Sequence, residues 1–89
     1  MTTTNTDDGM IRFNKTFLPV DLCIAVAGDV KENSEYGIYV LVDINQTETE
    51  FIEVLTTTSE SEQEEHLERY SKRLGERRQE WKEYQKKTN

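Results

Sequence analysis

Apolar and polar residues alternate along the first two-thirds of the chain, which is the pattern of β-strands with one buried face. Ile11, Phe13 and Phe17 lie on alternate positions and predict a first strand. Pro19 ends that strand, because proline has no N–H to donate to a neighbouring strand. The sheet region of the chain therefore begins near residue 10.

The segment VDLCIAVA, residues 20–27, has the most regular alternation in the chain. It predicts a second strand with one buried apolar face and one face of small residues. The residues predicted to be buried are Val20, Leu22, Ile24 and Val26, and those on the other face are Asp21, Cys23, Ala25 and Ala27. A short helix starting near Pro19 is the alternative, which the β-branched residues of the segment disfavour.

Two further strands follow a polar loop over residues 28–35. YGIYVLVDI, residues 36–44, is apolar on both faces and predicts the central strand of the sheet. TEFIEVLTT, residues 49–57, predicts the last strand. Its faces carry Ile52 and Val54 on one side, and Phe51 and Leu55 on the other. Short links join the strands, so the predicted sheet is antiparallel and has three to four strands.

A long C-terminal helix is predicted over residues 59–87. Ser59 and Glu62 have the spacing of a capping box, which is typical of a helix start. Glutamates crowd its first turns and lysines its last, as the helix dipole favours. Its apolar stripe consists of Leu67, Tyr70, Leu74, Trp81 and Tyr84. We expect this stripe to cover one face of the sheet; a coiled-coil dimer is the alternative, although tyrosines make a poor seam.

The length of this helix has a structural consequence. Residues 60–87 would span about 42 Å, whereas the predicted strands span roughly 17–30 Å. We therefore expect the C-terminal third, with Trp81 and Tyr84, to extend beyond the sheet or to bend back. Gly75 is the candidate position for a bend, and a tolerated surface glycine is the alternative.

Together these patterns predict an α+β fold in which the helix packs on one face of an antiparallel sheet. A chain of 89 residues is long enough for one domain. We expect residues 1–9, which are polar and without periodicity, to form a disordered tail. Residues 10–89 form the single predicted domain, with the sheet in 10–57 and the helix in 59–87.

The negative charge of the chain lies outside the helix. The net charge is −7, and residues 59–89 contain eight acidic and eight basic residues. Residues 1–58 contain ten acidic residues and three basic ones, so they hold the whole excess. Such a chain is not expected to bind nucleic acid directly, because that requires a basic surface.

The acidic residues of the sheet region form the first candidate binding surface, which we expect to dock on a basic protein. Its residues are Asp29, Glu32, Glu35, Asp43, Glu48, Glu50 and Glu53. Solubility is the alternative explanation of this charge. A second candidate surface lies on the helix and consists of Arg77, Arg78, Trp81, Lys82 and Tyr84. Tryptophan, tyrosine and arginine are enriched among the residues that dominate binding energies.

The sequence contains no motif for catalysis, for a cofactor or for a metal site. His66 is the only histidine, and its i,i+4 spacing from Glu62 is common by chance in a glutamate-rich segment. Cys23 is the only cysteine, so no intramolecular disulfide can form, and a reducing, cytoplasmic compartment is expected. No signal peptide or membrane span is expected either.

We therefore predict a small, acidic, non-enzymatic protein-binding module. The chain is similar in size and charge to small acidic inhibitors made by phages, including DNA mimics and anti-CRISPR proteins. This similarity is one of type and rests on no shared motif. The expected function is inhibition of a basic, nucleic-acid-handling protein. The alternative is a structural or adaptor subunit that forms a homodimer through its helix.

Overall fold

Two antiparallel sheets and one long helix make up residues 7–88, the part of the chain that this computed structural model describes. The elements are β1 (Met10–Phe13), β2 (Thr16–Pro19), a 3-10 turn (Val20–Leu22), β3 (Cys23–Val30), β4 (Tyr36–Asp43), β5 (Thr49–Thr57) and α1 (Glu60–Thr88). β1 and β2 form a hairpin, and the larger sheet has the order β3-β4-β5. The predicted α+β class, with a C-terminal helix against an antiparallel sheet, is confirmed.

The single strand predicted over residues 11–17 is instead the hairpin β1–β2. Asn14 lies at the turn with a φ of 57°, a left-handed conformation that asparagine adopts more readily than most residues. Phe13 therefore pairs with Thr16 across the turn. Ile11 and Phe13 are buried, whereas Phe17 points to solvent. Because the chain reverses at Asn14, the apolar residues before the turn are buried, whereas Phe17 after the turn is exposed.

The faces predicted for residues 20–27 are wrong at the start of the segment. Val20 and Cys23 are buried, whereas Leu22 and Ile24 are exposed. The 3-10 turn over Val20–Leu22 takes the start of the segment out of the strand. A β-bulge between Cys23 and Ala25 then shifts the alternation so that Cys23 instead of Ile24 faces the core. The alternative prediction, a short helix starting near Pro19, describes residues 20–22 better than the predicted strand does.

β3 is also longer than predicted, because it continues through the expected loop as far as Val30. Asp29 is therefore a strand residue and pairs with Gly37 of β4. The loop between β3 and β4 is correspondingly short, at residues 31–35.

β4 is the central strand of the larger sheet, as its two apolar faces predicted. Ile38, Val40 and Val42 are buried on the face that α1 covers. β5 contains a β-bulge at Val54. Leu55 pairs with Ile38 of β4, whereas Glu53 pairs with the next residue of β4, Tyr39. Leu55 consequently packs against the core. Its predicted place beside Phe51 on the other face was wrong, because the bulge inserts one residue and shifts the alternation.

One hydrophobic cluster joins the hairpin, the larger sheet and the helix. The rings of Phe13 and Tyr70 meet edge to face with centroids 5.3 Å apart. Near the start of the helix, the buried Gln63 side chain donates hydrogen bonds to the Gly37 carbonyl at 2.9 Å and to the Asp29 carbonyl at 3.1 Å. Gln63 thus attaches α1 to the end of the sheet at which β3 passes into β4.

α1 runs as one helix past Gly75, whose Cα faces open space. The helix contacts the buried cluster as far along as Trp81, which packs against it. Among residues 82–87, only Tyr84 is partly buried. The predicted extension beyond the sheet is therefore limited to about 9 Å of helix.

Candidate functional site

Arg77, from the candidate surface on the helix, contacts the N-terminal segment of the chain. Its guanidinium donates to both carboxylate oxygens of Asp7, at 2.9 Å from Nη1 to Oδ2, and its Nε donates to the Met10 carbonyl at 2.8 Å. Asp7 and Gly9 belong to the predicted tail, and here they lie against the helix. The prediction for residues 1–6 falls outside the described residues.

Trp81 also contacts this segment. Its indole N–H donates to Asp21 Oδ2 at 3.0 Å, and its ring lies over the Cα of Gly9. Gly9 is held there because its carbonyl accepts a hydrogen bond from the Val20 N–H at 2.8 Å. The ring of Tyr84 stacks on Trp81 with centroids 5.5 Å apart. Through these contacts Trp81 joins the C-terminal part of the helix to Gly9 and Asp21 of the same chain.

Arg78 binds the edge of β3. Its Nη2 donates to the Ile24 carbonyl at 2.8 Å and also to the Cys23 carbonyl. Arg77, Arg78 and Trp81 therefore hold the fold together, and of the candidate helix surface only Lys82 is fully exposed.

The Asp7–Arg77 pair predicts a pH-dependent stability. The hydrogen bond from Arg77 lowers the pKa of Asp7 from its ordinary value of 3.8. The two side chains are only 18% and 14% exposed. A depressed carboxylate pKa stabilises the fold above the ordinary value, and this contribution is lost as the pH falls through the lower, folded-state pKa.

We therefore expect Asp7→Asn to lower the free energy of unfolding at pH 6, and expect the difference from the wild type to shrink steadily below pH 3.8. Urea denaturation between pH 6 and pH 2.5 measures both quantities. Glu48→Gln is the control, because it removes one exposed carboxylate away from any ion pair shown by the described residues. Equal stability of the wild type and Asp7→Asn at pH 6 would contradict the prediction.

The candidate acidic residues occupy both ends of the larger sheet. Asp29, Glu32 and Glu35 lie around the β3–β4 loop, while Asp43, Glu48 and Glu50 lie around the β4–β5 turn. Because β4 separates them, the two groups are about 20 Å apart. The sequence suggested one continuous acidic surface, and the structure brings its residues together in two groups.

Glu53 belongs to the first group but is partly neutralised. It accepts a hydrogen bond from Lys31 Nζ at 2.8 Å and another from the Thr56 hydroxyl. The bond from Lys31 lowers the pKa of Glu53, and in return it raises the pKa of Lys31. Both groups thus stay charged at neutral pH and cancel one another.

Between the two acidic groups lies the face of the sheet opposite α1, which we call the outer face. Strand pairing places Ala27 beside Tyr39, and Leu41 beside Phe51. Side chains paired across antiparallel strands lie on the same face. The residues of the outer face are Ala25, Ala27, Asp29, Tyr39, Leu41, Asp43, Phe51 and Glu53. Its centre is therefore apolar and its ends are acidic.

Two aromatic side chains dominate the outer face. Phe51 is 59% exposed. Its ring meets that of Tyr39 edge to face, with centroids 6.5 Å apart. A cavity of about 210 Å³ opens here, lined by Ala27, Gly28, Asp29, Tyr39 and Phe51. An exposed apolar patch with a charged border is typical of a protein-binding surface.

Tyr39, Leu41 and Phe51 were not among the candidate site residues from the sequence. The sequence contained a signal for these three residues. The strand YGIYVLVDI is apolar on both faces, but the chain has only one predicted helix to cover a face. One helix covers one face of a sheet, so the second face had to stay open or meet a partner.

The remaining chemistry within residues 7–88 is sparse. No group of three or more His, Cys, Asp or Glu side chains there is placed to hold a metal ion. Cys23 is buried, and burial raises the pKa of its thiol despite the nearby charge of Arg78. Nδ1 of His66 is buried without a hydrogen-bond partner in this part of the chain.

The described helix is too polar to cross a membrane. Comparison of the chain with protein-family models, with characterised proteins and with solved structures gives no match.

Proposed function

We propose that this protein is a binding module that docks on a basic, nucleic-acid-handling protein through its larger sheet and inhibits it. The observation that carries the proposal is the outer face, where the exposed ring of Phe51 and the half-buried ring of Tyr39 lie between two groups of carboxylates. The apolar centre supplies contact area, and the acidic ends select a partner of opposite charge.

The distribution of charge supports this surface over the helix. Lys31 is the only basic residue between positions 16 and 58, and it is paired with Glu53. Two groups of carboxylates with few basic residues near them attract a basic partner from a distance and compete with the phosphates of its nucleic acid. The partner would then be held at the site that normally contacts DNA or RNA.

Self-association through α1, the alternative suggested by the sequence, has weaker support. Trp81 and Arg77 would have to anchor the dimer, and both contact the N-terminal segment of their own chain. The exposed side of α1 is almost entirely polar and charged, so it offers a homodimer little apolar contact area.

The test is affinity capture from a lysate of the source cell with two charge-matched variants. Glu32→Gln/Glu48→Gln/Glu50→Gln removes three exposed carboxylates from the sheet. Glu64→Gln/Glu65→Gln/Glu68→Gln removes three from the helix, and each variant has a net charge of −4, from −7 plus 3. We expect the wild type and the helix variant to retain a basic protein that binds nucleic acid, and the sheet variant to lose it.

The salt dependence is the second measurement. Retention should be strong at about 50 mM salt and weak at about 500 mM, because salt screens interactions between exposed charges. Addition of the wild-type protein should also release nucleic acid from the purified partner. Retention of no basic protein, or equal loss with the sheet and helix variants, would refute the proposed function.

A further inference from the structure

We propose that the cavity on the outer face receives an arginine side chain of the partner protein, held between the rings of Tyr39 and Phe51 and the carboxylate of Asp29. This inference rests on the proposed function, because it specifies which group of a basic partner the outer face recognises. It assigns the recognition to one end of the sheet.

The size of the cavity fits one side chain. Its volume is about 210 Å³, and it is open to solvent on the outer face. Pockets for cofactors and other small molecules are larger, at about 300–1,000 Å³. Ala27, with its small side chain, and the backbone of Gly28 line the cavity beside the two rings.

The aromatic walls suit a flat cation. The ring planes of Tyr39 and Phe51 are at 83° to one another. A flat group that binds next to one ring therefore also contacts the edge or the face of the other ring. A guanidinium is attracted to an aromatic face when it lies within about 6 Å of the ring centroid. The exposure of Phe51 leaves its ring accessible for this contact.

The carboxylate of Asp29 is held in place with one oxygen unused. Oδ1 accepts a hydrogen bond from the Val30 N–H at 2.8 Å. Within residues 7–88, Oδ2 makes no hydrogen bond and Asp29 has no ion pair. Lys31 does not compete for this carboxylate, because its ammonium is bound to Glu53. Asp29 can therefore accept an N–H from an incoming cation.

Arginine fits this combination better than lysine does. Its guanidinium is planar, stacks on aromatic rings and donates several N–H groups in a fixed geometry. The ammonium of lysine is a compact and strongly hydrated charge, so it gains less from a flat, open, aromatic cavity. Surfaces that bind nucleic acid are rich in arginine, which connects the cavity to the proposed class of partner.

The experiment uses three five-residue peptides, acetyl-Gly-Gly-X-Gly-Gly-amide, in which X is arginine, lysine or citrulline. Citrulline has nearly the shape of arginine but no charge. Titration of the ¹⁵N-labelled full chain, followed by amide chemical shifts, locates and measures the binding. We expect the arginine peptide to shift the amides of Ala27, Gly28, Asp29, Tyr39 and Phe51, and expect the citrulline peptide to leave them unchanged.

Two isosteric variants separate the cavity from general charge. Asp29→Asn and Asp43→Asn each remove one carboxylate whose Oδ1 accepts a backbone N–H at 2.8 Å, and the amide oxygen can keep that bond. We expect Asp29→Asn to weaken binding of the arginine peptide about tenfold, and Asp43→Asn to change it less than twofold. Phe51→Ala should weaken it about two- to fivefold, as expected for a cation–aromatic contact at an exposed site.

Three results would each overturn the inference: equal binding of the arginine and citrulline peptides, equal effects of Asp29→Asn and Asp43→Asn, or tighter binding of the lysine peptide. The peptide titration needs no natural partner, so its failure is distinct from failure of the proposed function. A basic protein captured through the sheet but insensitive to Asp29→Asn would likewise overturn the cavity and leave the proposed function standing.

Discussion

Phe13→Ala should lower the free energy of unfolding by about 3–5 kcal/mol, the usual loss when a fully buried phenylalanine is truncated. Phe13 is 0% exposed and its ring meets Tyr70 of α1 edge to face. The substitution opens a cavity at the point where the hairpin, sheet and helix share one cluster. Small domains have only about 5–15 kcal/mol of stability, so this variant should be close to unfolding.

Phe17→Ala is the matched control for Phe13→Ala. Phe17 lies in the same hairpin but is 61% exposed, and its ring contacts the Arg12 guanidinium, so its removal should change stability by no more than about 1 kcal/mol. Urea denaturation followed by circular dichroism measures both variants. If Phe13→Ala does not fold, Phe13→Leu should fold with a smaller loss, because it leaves a smaller cavity. Equal losses at positions 13 and 17 would show that the hairpin is not packed as described.

Gly9→Ala should destabilise the protein by about 2–4 kcal/mol, from backbone strain and overpacking together. Gly9 has a φ of +71°, in the left-handed region that favours glycine. A Cβ there would also lie 2.9 Å from Cζ2 of Trp81. The indole cannot easily retreat, because its N–H is bound to Asp21. We therefore expect the segment around Gly9 to separate from the helix.

Gly75→Ala is the matched control with the opposite sign. A Cβ at position 75 would meet no atom within 4 Å, and the residue lies inside α1. Alanine should therefore stabilise the protein by about 1 kcal/mol, because glycine is the poorer helix former. Thermal denaturation should show a lower midpoint for Gly9→Ala, a higher one for Gly75→Ala, and reduced burial of Trp81 by fluorescence in Gly9→Ala alone. Two destabilised variants would contradict this account of the helix end.

The helix and the central strand were predictable because each is specified by neighbouring residues. The Ser59 hydroxyl accepts the Glu62 N–H at the helix start, at 3.4 Å, and the acidic residues of the first turn favour the helix dipole. The two apolar faces of β4 likewise indicate a central strand in any arrangement of its neighbours. The α+β class followed from these two elements together with the short connections.

The errors arose where one residue changes the phase of an otherwise regular pattern. Asn14 turns the first strand into a hairpin. The 3-10 turn after Pro19, together with the bulge between Cys23 and Ala25, exchanges the buried and exposed residues around Cys23. The bulge at Val54 does the same to Leu55. In each case the alternation remains in the sequence, but a local change of backbone geometry alters which residues face the core.

The two candidate sites depended on contacts between residues distant in the chain. Arg77 and Trp81 have the composition of a binding surface, and their contacts with Asp7 and Asp21, 70 and 60 residues away, also give them a structural role. Their binding role stays a prediction. The acidic residues were identified from the sequence, whereas their division between the two ends of β4 required the strand order.

Local sequence thus established the elements, the fold class and the location of the charge, because capping, periodicity and composition act over a few residues. The packing of the chain established which aromatic residues stay exposed, because exposure depends on what each face meets. α1 and the hairpin bury one face of the larger sheet, and Tyr39 of β4 and Phe51 of β5 remain on the other. This difference between the two faces of one sheet produces the outer face and its cavity.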